Sequence, residues 1–336
     1  MIPATFDYEV AESVDHAIAL LGERGEDAKL LAGGHSLLPA MRLRLARPSV
    51  LVDIGRLAEL SYVRDAGVHV AIGALTRHHD VHEAPLLQEQ CPIVAFTAGT
   101  IGDPQVRHRG TIGGTLAHGD PASDLPTVML TLDAELVVRG SQGERTVPAR
   151  EFFTGVFQTA LRPDEMLVEV RVPKKPGAGW SYQKMTRRAQ DWATVAVAAI
   201  VERTNGSVGK ASIGLTNMGA TPLRASAAEE VLAGGASIEQ AAALVSEGTD
   251  PSSDYAASAD FRLHPRTGAR AEGARGGGHP LRLVGERCLA EAGHRVEIVA
   301  GLDVNARRKR RSQKVRAPEP ARTLRPARLP PSHRPA

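Results

Sequence analysis

The stretch Arg107–Leu125, RHRGTIGGTLAHGDPASDL, is the part of the sequence around which the expected fold is organised. At its centre is the run GTIGGT of residues 110–115, and Asp120 and Asp124 follow within ten residues. Adjacent glycines carry no Cβ atoms, so two consecutive backbone N–H groups can approach a ligand closely and point in the same direction. Such amides suit a phosphate or diphosphate oxygen, and the aspartates suit sugar or polyol hydroxyls. A structural turn is the alternative interpretation of the double glycine.

A second double glycine lies upstream, in the run AGGHS of residues 32–36, directly after an apolar run at 28–31. The spacing predicts a helix over Leu37–Leu45 that Pro48 ends, and a strand over Val50–Ile54. We therefore expect residues 1–55 to form a small α/β subdomain. We also expect the two glycine loops, each at the end of a strand, to hold one diphosphate from both sides.

The pattern changes after residue 55. Residues 56–174 mix predicted helices, such as Ser123–Leu132, with alternating strands such as Met166–Val172, which predicts a second, α+β subdomain. The run PKKPGAG at 173–179 has the composition of a linker. Beyond it, three strand-like runs and two short helices predict a third α+β domain over 178–262 that is incomplete.

Composition indicates a globular protein without a membrane span. The chain has 336 residues, 42% hydrophobic and 24% charged, which is enough for two or three cores. No apolar run approaches the roughly 20 residues that span a bilayer, and the N-terminus lacks the pattern of a signal peptide. The two cysteines, Cys91 and Cys288, form neither a disulfide framework nor a metal-ligand set. We expect a reduced, cytoplasmic protein.

The basic character of the chain belongs to its last residues. Residues 304–336 hold eleven Arg or Lys and one acid, whereas the first 303 residues hold 30 basic and 37 acidic residues, a net charge of −7. The body therefore gives no indication of nucleic-acid binding. Residues 263–336 are rich in Gly, Arg, Ala and Pro, which predicts an irregular or disordered basic tail. The abrupt change suggests a shift of the coding frame near residue 263, a hypothesis that fails if no other frame of the DNA continues an amphipathic helix after Arg262.

Four motifs occur in an order that identifies a family. They are AGGHSLLPAMRLRLARP (32–48), RGTIGGTLAHGDPASDLP (109–126), LRPDEMLVEVRVP (161–173) and YQKMTRRAQDWATVAVA (182–198). Together they resemble the medium, FAD-binding subunit of the carbon monoxide dehydrogenase and xanthine dehydrogenase family of molybdenum hydroxylases. The resemblance extends from the N-terminus to about Arg262.

The resemblance implies an α+β fold of the vanillyl-alcohol-oxidase type, in which two α/β subdomains hold FAD and a third domain, here truncated, follows. FAD is expected between the first two subdomains, without a covalent bond, although His35 occupies a GGH segment that carries such a bond in other members of the superfamily. The residues implied in cofactor binding are Ala32, Gly33, Gly34, His35, Ser36, Leu37, Thr111, Ile112, Gly113, Gly114, Thr115, Asp124, Leu161, Lys184 and Trp192.

The resemblance also assigns individual roles. Asp124 would bind ribityl or neighbouring hydroxyls, and Leu161 would meet the pyrimidine edge of the flavin through its backbone. Lys184 would place a positive charge near that edge, which stabilises the reduced flavin and raises its potential. Trp192 would lie near the isoalloxazine ring. Thr115 departs from the usual asparagine or serine, but its hydroxyl still donates a hydrogen bond.

Plainer interpretations remain open for several of these residues. Lys184 could be a solvated strand residue, and Trp192 could be ordinary core packing. His78, His79 and His82 resemble a ligand cluster, but no carboxylate or thiolate partner is evident, and a solvated helix face is the favoured interpretation.

The predicted function follows from the resemblance. No residue here is expected to be catalytic toward substrate. A large partner subunit would oxidise the substrate at a molybdenum centre, and a small partner would pass electrons through two 2Fe-2S clusters to this FAD. The complex is expected to be a dimer of heterotrimers. A self-contained FAD-dependent oxidoreductase of the same superfamily is the alternative, and a nucleotide-binding scaffold without redox function is a third.

Overall fold

A computed structural model describes residues 1–204, 207–263 and 287–292 of the chain. Its first sheet is parallel, with Val50–Asp53 between Asp7–Val10 and Ala28–Leu31. The helix Val14–Arg24 covers this sheet. The helix begins where the Ser13 hydroxyl accepts a hydrogen bond from the His16 N–H at 3.1 Å, which confirms the predicted cap.

The predicted helix after the first glycine loop is shorter than expected. It covers Leu37–Arg42 rather than 37–45. Arg44 adopts a φ of 60°, a left-handed conformation that ends a helix, and the Leu45 and Ala46 N–H groups both return to the Ala40 carbonyl. The chain then reaches the central strand of the first sheet.

The second sheet is antiparallel and has five strands, in the spatial order Val63–Asp65, His69–Gly73, Met166–Pro173, Glu135–Gly140 and Gly143–Pro148. A small two-stranded sheet pairs Phe153–Gly155 with Gln158–Thr159. The helices of this part are His78–Glu83, Pro85–Gln90, Pro92–Gly99, Pro104–Arg107, Ile112–His118, Asp124–Thr131 and Ala149–Phe152. Short 3-10 turns lie at Gly25–Asp27 and Ala58–Leu60.

The third sheet is antiparallel, in the order Gly179–Met185, Val195–Thr204, Ser207–Thr216 and Leu223–Arg224. The helices Ser226–Ala233, Ile238–Ala243 and Ala259–Leu263 follow. The turn predicted at 204–206 includes Asn205 and Gly206, which lie outside the described residues.

Each of the three larger sheets packs on a buried cluster, and these clusters share residues between neighbouring units. The cluster under the first sheet also contains Leu60, Leu75, Val137 and Met166 from the second segment. Because those side chains are 6% exposed or less, the first two units pack on a shared apolar surface. All four sheets lie within the ranges predicted for the three domains, and that division itself stays a prediction.

The predicted tail, 263–336, is described only at its first residue and at 287–292. Residues 264–286 and 293–336 lie outside the described residues, and with them most of the predicted irregular tail and the proposed frame shift. Residues 287–292 are helical, and their buried Cys288 donates to the carbonyls of Ser181 and Val197 at 3.3 and 3.2 Å. The prediction of an irregular tail did not include this helix against the third sheet.

Within the described ranges, no helix combines the length and the apolarity that crossing a bilayer requires.

Candidate functional site

The two glycine loops touch each other. A Cβ atom placed on Gly33 would overlap the carbonyl of Arg109 and lie 2.9 Å from the Cα of Gly110. Both neighbours are backbone, so only a residue without a side chain allows this approach. The loops from the first and second units are therefore in contact, and the diphosphate site predicted between them stays a prediction.

The first loop presents donors that the protein itself does not use. The N–H groups of Gly33, Gly34, His35 and Ser36 have no hydrogen-bond acceptor within the described part of the chain. Gly34 has a φ of 74°, which turns the backbone into the following helix, and its carbonyl accepts from Leu38 at 3.0 Å. Successive free amides on a half-buried turn suit an anionic oxygen.

The second loop is built differently from the prediction. Gly113 and Gly114 do not follow a strand; they lie in the first turn of the helix Ile112–His118. The Gly113 N–H donates to the Ala74 carbonyl at 2.8 Å, and the Gly114 N–H donates to the Thr111 hydroxyl at 3.1 Å. The two amides predicted to face a ligand are thus engaged within the chain.

Close packing explains this second double glycine. A Cβ atom on Gly113 would lie 2.6 Å from the Cβ of Ala74, and Ile112 next to it is fully buried. Gly113 is therefore needed, at least in part, because the helix packs closely against the second sheet. Thr115 is half-buried, and its hydroxyl donates a long hydrogen bond of 3.5 Å to the Ser123 hydroxyl.

His78 is placed differently from the prediction of a solvated histidine face. It is 4% exposed, and its backbone N–H donates to the Gly110 carbonyl at 3.0 Å, which ties the start of its helix to the second glycine loop. Burial, helped by the neighbouring His35, Arg107 and Arg77 charges, lowers the pKa of His78 to about 4. His78 is therefore neutral at physiological pH.

The other two histidines of that helix contact nearby residues. His79 stacks on His108 with 4.0 Å between ring centroids, and His82 hydrogen-bonds the Ala95 carbonyl at 2.9 Å through Nδ1. The described residues hold no group of three His, Cys, Asp or Glu side chains that could bind a metal ion.

Asp124 and Lys184, which the resemblance assigned to the flavin, are joined in a buried ion pair. The Lys184 Nζ atom lies 2.9 Å from Asp124 Oδ2, and the two side chains are 10% and 5% exposed. The other carboxylate oxygen accepts a hydrogen bond of 2.5 Å from the Tyr182 hydroxyl. The interpretation of Lys184 as a solvated strand residue is therefore wrong, and each Asp124 oxygen already has one partner within the protein.

Burial dominates the electrostatics of this cluster. It raises the pKa of Asp124, while the Lys184 charge and the Tyr182 hydrogen bond act in the opposite direction. Burial also raises the pKa of Tyr182 well above its ordinary value, and the nearby Asp124 charge adds to that effect. Tyr182 is consequently a hydroxyl donor over the whole physiological range.

Trp192 is 49% exposed, so the interpretation as ordinary core packing is wrong. Its neighbour Ala193 accepts a hydrogen bond of 2.8 Å from the Asn217 side chain, and the Asn217 N–H donates to the Pro121 carbonyl at 2.9 Å. Asn217, whose φ is 62°, thus holds the Trp192 segment beside the loop that leads to Asp124.

Leu161 is half-buried against the core of the second unit. It belongs to the segment that begins at Phe157, whose N–H donates to the Gly119 carbonyl at 3.1 Å and whose ring lies 5.0 Å from that of His118. The segment therefore runs beside the end of the helix that starts at the second glycine loop.

Sequence reasoning missed Tyr182 and Asn217, and it interpreted His78 as part of a solvated helix face. A signal for Tyr182 was present, because it stands two residues before Lys184 in a strand and so shares its face. His78 and Asn217 gave no comparable signal, since their roles depend on contacts with distant parts of the chain.

The fold and the joined glycine loops define a class of FAD-binding flavoproteins, and the comparisons identify the family. Residues 4–175 match the FAD binding domain in molybdopterin dehydrogenase, and residues 180–267 match the CO dehydrogenase flavoprotein C-terminal domain. The chain belongs to the family of FAD-binding medium subunits of carbon monoxide dehydrogenase-like molybdenum hydroxylases, and its cofactor is FAD.

Individual relatives agree with this assignment. The chain is 43% identical over 267 residues to the carbon monoxide dehydrogenase medium chain of Hydrogenophaga pseudoflava, across 78% of this chain and 93% of the relative. It is 39% identical over 301 residues to subunit alpha of the 6-hydroxypseudooxynicotine dehydrogenase complex of Paenarthrobacter nicotinovorans, across 88% and 97%. A solved structure of H. pseudoflava carbon monoxide dehydrogenase that lacks the Mo-pyranopterin moiety of its cofactor matches with a TM-score of 0.81 and 42% identity, across 88% of this chain and 99% of that one.

Proposed function

We propose that this chain is the electron-transfer subunit of a heterotrimeric molybdenum hydroxylase in the cytoplasm. Its FAD receives electrons from the iron–sulfur clusters of a small partner subunit and releases them to an external acceptor. Substrate oxidation takes place on a large molybdenum subunit, and two heterotrimers pair in the complete enzyme. The relatives support the coarser part of this proposal, since they are medium chains or subunits of dehydrogenase complexes.

The observation that carries the proposal is the half-buried loop of free amides in contact with the second glycine loop. In this assignment, the amides of Gly33, Gly34, His35 and Ser36 bind the FAD diphosphate, with Ala32 and Leu37 at either end of the loop. Thr111, Ile112, Gly113, Gly114 and Thr115 form the opposite wall. A loop of free amides fits an anion, and Gly33, which has no side chain, lets this loop pack against the backbone of Arg109 and Gly110.

The residues further along the chain would hold the flavin end of the cofactor. Asp124 and Lys184 keep one another oriented, so the Lys184 ammonium is fixed rather than mobile. In this assignment, Leu161 and Trp192 contact the flavin from two other segments. FAD, when bound, supplies the capacity to take up two electrons and release them one or two at a time.

Co-expression with the neighbouring genes tests this function. The expected result is a complex that contains FAD, molybdenum and iron in fixed ratio, and whose FAD is reduced by substrate only when both partner subunits are present. If the isolated chain with FAD oxidises a substrate at the rate of the complex, the chain is instead a self-contained oxidoreductase. A chain that never binds FAD would contradict both functions.

A further inference from the structure

The Tyr182–Asp124–Lys184 cluster lies at the junction of the second and third units. Asp124 begins the helix Asp124–Thr131, and the two other residues belong to the first strand of the third sheet. The junction is tight: the Thr216 hydroxyl lies 2.7 Å from that of Thr127, and a Cβ atom on Gly214 would overlap the side chain of Thr131. The cluster is therefore held rigidly from both sides.

The three groups form a chain of donor, carboxylate and cation. Tyr182 donates to one Asp124 oxygen at 2.5 Å, and Lys184 contacts the other at 2.9 Å. Tyr182 is 3% exposed and cannot exchange this partner for water. Because a hydrogen bond donated to a carboxylate favours its charged form, the Tyr182 hydroxyl counteracts the effect of burial on Asp124.

The ionisation of Asp124 decides how much of the Lys184 charge is felt nearby. An ionised Asp124 offsets the ammonium, whereas a protonated Asp124 leaves a full positive charge in a region of low dielectric. A positive charge close to a flavin stabilises its reduced, anionic form.

We propose that Tyr182 is a positioning residue of the flavin site, whose hydroxyl holds Asp124 as the charged partner of Lys184 and thereby limits how strongly that lysine raises the flavin potential. The proposal rests on the assignment of Lys184 to the flavin region under the proposed function. It adds Tyr182 to the residues of the site and states that its hydroxyl lowers the flavin potential.

Several other groups face this cluster. Asp120, in the loop before Asp124, raises the pKa of Asp124, and His118 in turn acts on Asp120. Thr216 and Cys288 act on Tyr182 from the strand Ser207–Thr216 and from the helix 287–292. These groups are common to all variants below, so their contributions cancel when variants are compared at one pH.

The test is the midpoint potential of bound FAD in the wild-type chain and in Tyr182→Phe, measured from mildly acidic to mildly alkaline pH. Removing the hydroxyl raises the pKa of Asp124 further, so more of it is protonated at any given pH. The expected result is a higher potential in Tyr182→Phe than in the wild type, with a difference that grows as the pH falls. A difference of zero, or one that does not change with pH, would overturn the proposal.

Two further variants separate positioning from general damage. In an Asp124→Asn background no carboxylate is present to be protonated, so adding Tyr182→Phe is expected to leave the pH dependence of the potential unchanged. Tyr62→Phe is the matched control, since the Tyr62 hydroxyl donates to the ion-paired Glu169 carboxylate at 2.6 Å in another part of the molecule. It is expected to leave the potential at the wild-type value.

The outcomes also distinguish this inference from the proposed function. If the wild-type chain binds no FAD, the proposed function fails. If FAD is bound and the pH-dependent difference is missing, only the role of Tyr182 fails. Should Tyr182→Phe lose its flavin, Tyr182→Phe in complex with the partner subunits provides the same comparison, and an unchanged potential there contradicts the proposal.

Discussion

Gly33→Ala perturbs the contact on which the two-loop site depends. The added methyl group would overlap the carbonyl of Arg109 and sit 2.9 Å from the Cα of Gly110, and neither backbone atom can rotate away. Overpacking of this kind costs about 1–3 kcal/mol. Since each 1.4 kcal/mol is roughly a factor of ten in affinity, we expect FAD to bind about 10- to 100-fold more weakly if the loops must separate to relieve the overlap.

The assay is a titration of the flavin-free chain with FAD, followed by flavin fluorescence, together with denaturant unfolding in the absence of FAD. Gly22→Ala is the matched control, because Gly22 lies within the helix Val14–Arg24 and a Cβ atom there would meet nothing within 4 Å. The control should keep wild-type affinity and gain about 0.5–1 kcal/mol of stability. Wild-type FAD affinity and stability in Gly33→Ala would refute the assignment of a tight contact between the loops.

Three further predictions concern stability. Asp124→Asn leaves the Lys184 ammonium buried without its charged partner and should lower the free energy of unfolding by about 3–5 kcal/mol, measured by denaturant titration. Asp133→Asn is the control, because that side chain is 35% exposed, and it should cost less than about 1 kcal/mol. Equal losses in the two variants would contradict this prediction. His78 has a pKa of about 4 in the folded chain, below its unfolded value of about 6.5. Its neutral form therefore contributes fully to the free energy of unfolding above pH 6.5, and this contribution is lost as the pH falls toward 4. Between pH 6.5 and 4 the free energy of unfolding of the wild type should fall by about 3 kcal/mol more than that of His78→Phe. Parallel plots of the free energy of unfolding against pH for the two proteins would exclude this. A chain that ends after Arg262 should keep the wild-type FAD content. Its third unit should become less stable to proteolysis, because the buried Cys288 and Leu289 are removed. Loss of flavin would show that the last part of the chain is needed for the site.

The sequence predicted those parts of the fold that depend on local signals. Ser13 caps a helix because its hydroxyl lies close in sequence to an N–H group that needs an acceptor. The strand from Met166 was predictable because apolar and charged residues alternate along it. The helix after the first glycine loop was predicted too long, because nothing in the composition of Leu43 and Arg44 announces the left-handed turn at Arg44.

The motifs of the sequence predicted candidate residues for the site, and their role in binding the cofactor stays a prediction. The motifs did not predict the contacts among those residues. The motifs pointed to Gly33, Gly113, Asp124 and Lys184, which the structure then connects through segments far apart in the chain. That Gly113 uses its N–H on Ala74 depends on tertiary packing. The pairing of Asp124 with Lys184 joins residues 60 positions apart, and it leaves no local pattern to read.

We expect the joined glycine loops to hold one FAD per chain. The flavin content of the purified full-length chain tests this, with acid precipitation to separate free from protein-bound flavin. The expected result is a yellow protein with one FAD per chain, all of it released by acid. A colourless chain that does not take up added FAD would rule out this site, and flavin that stays with the precipitate would rule out non-covalent binding.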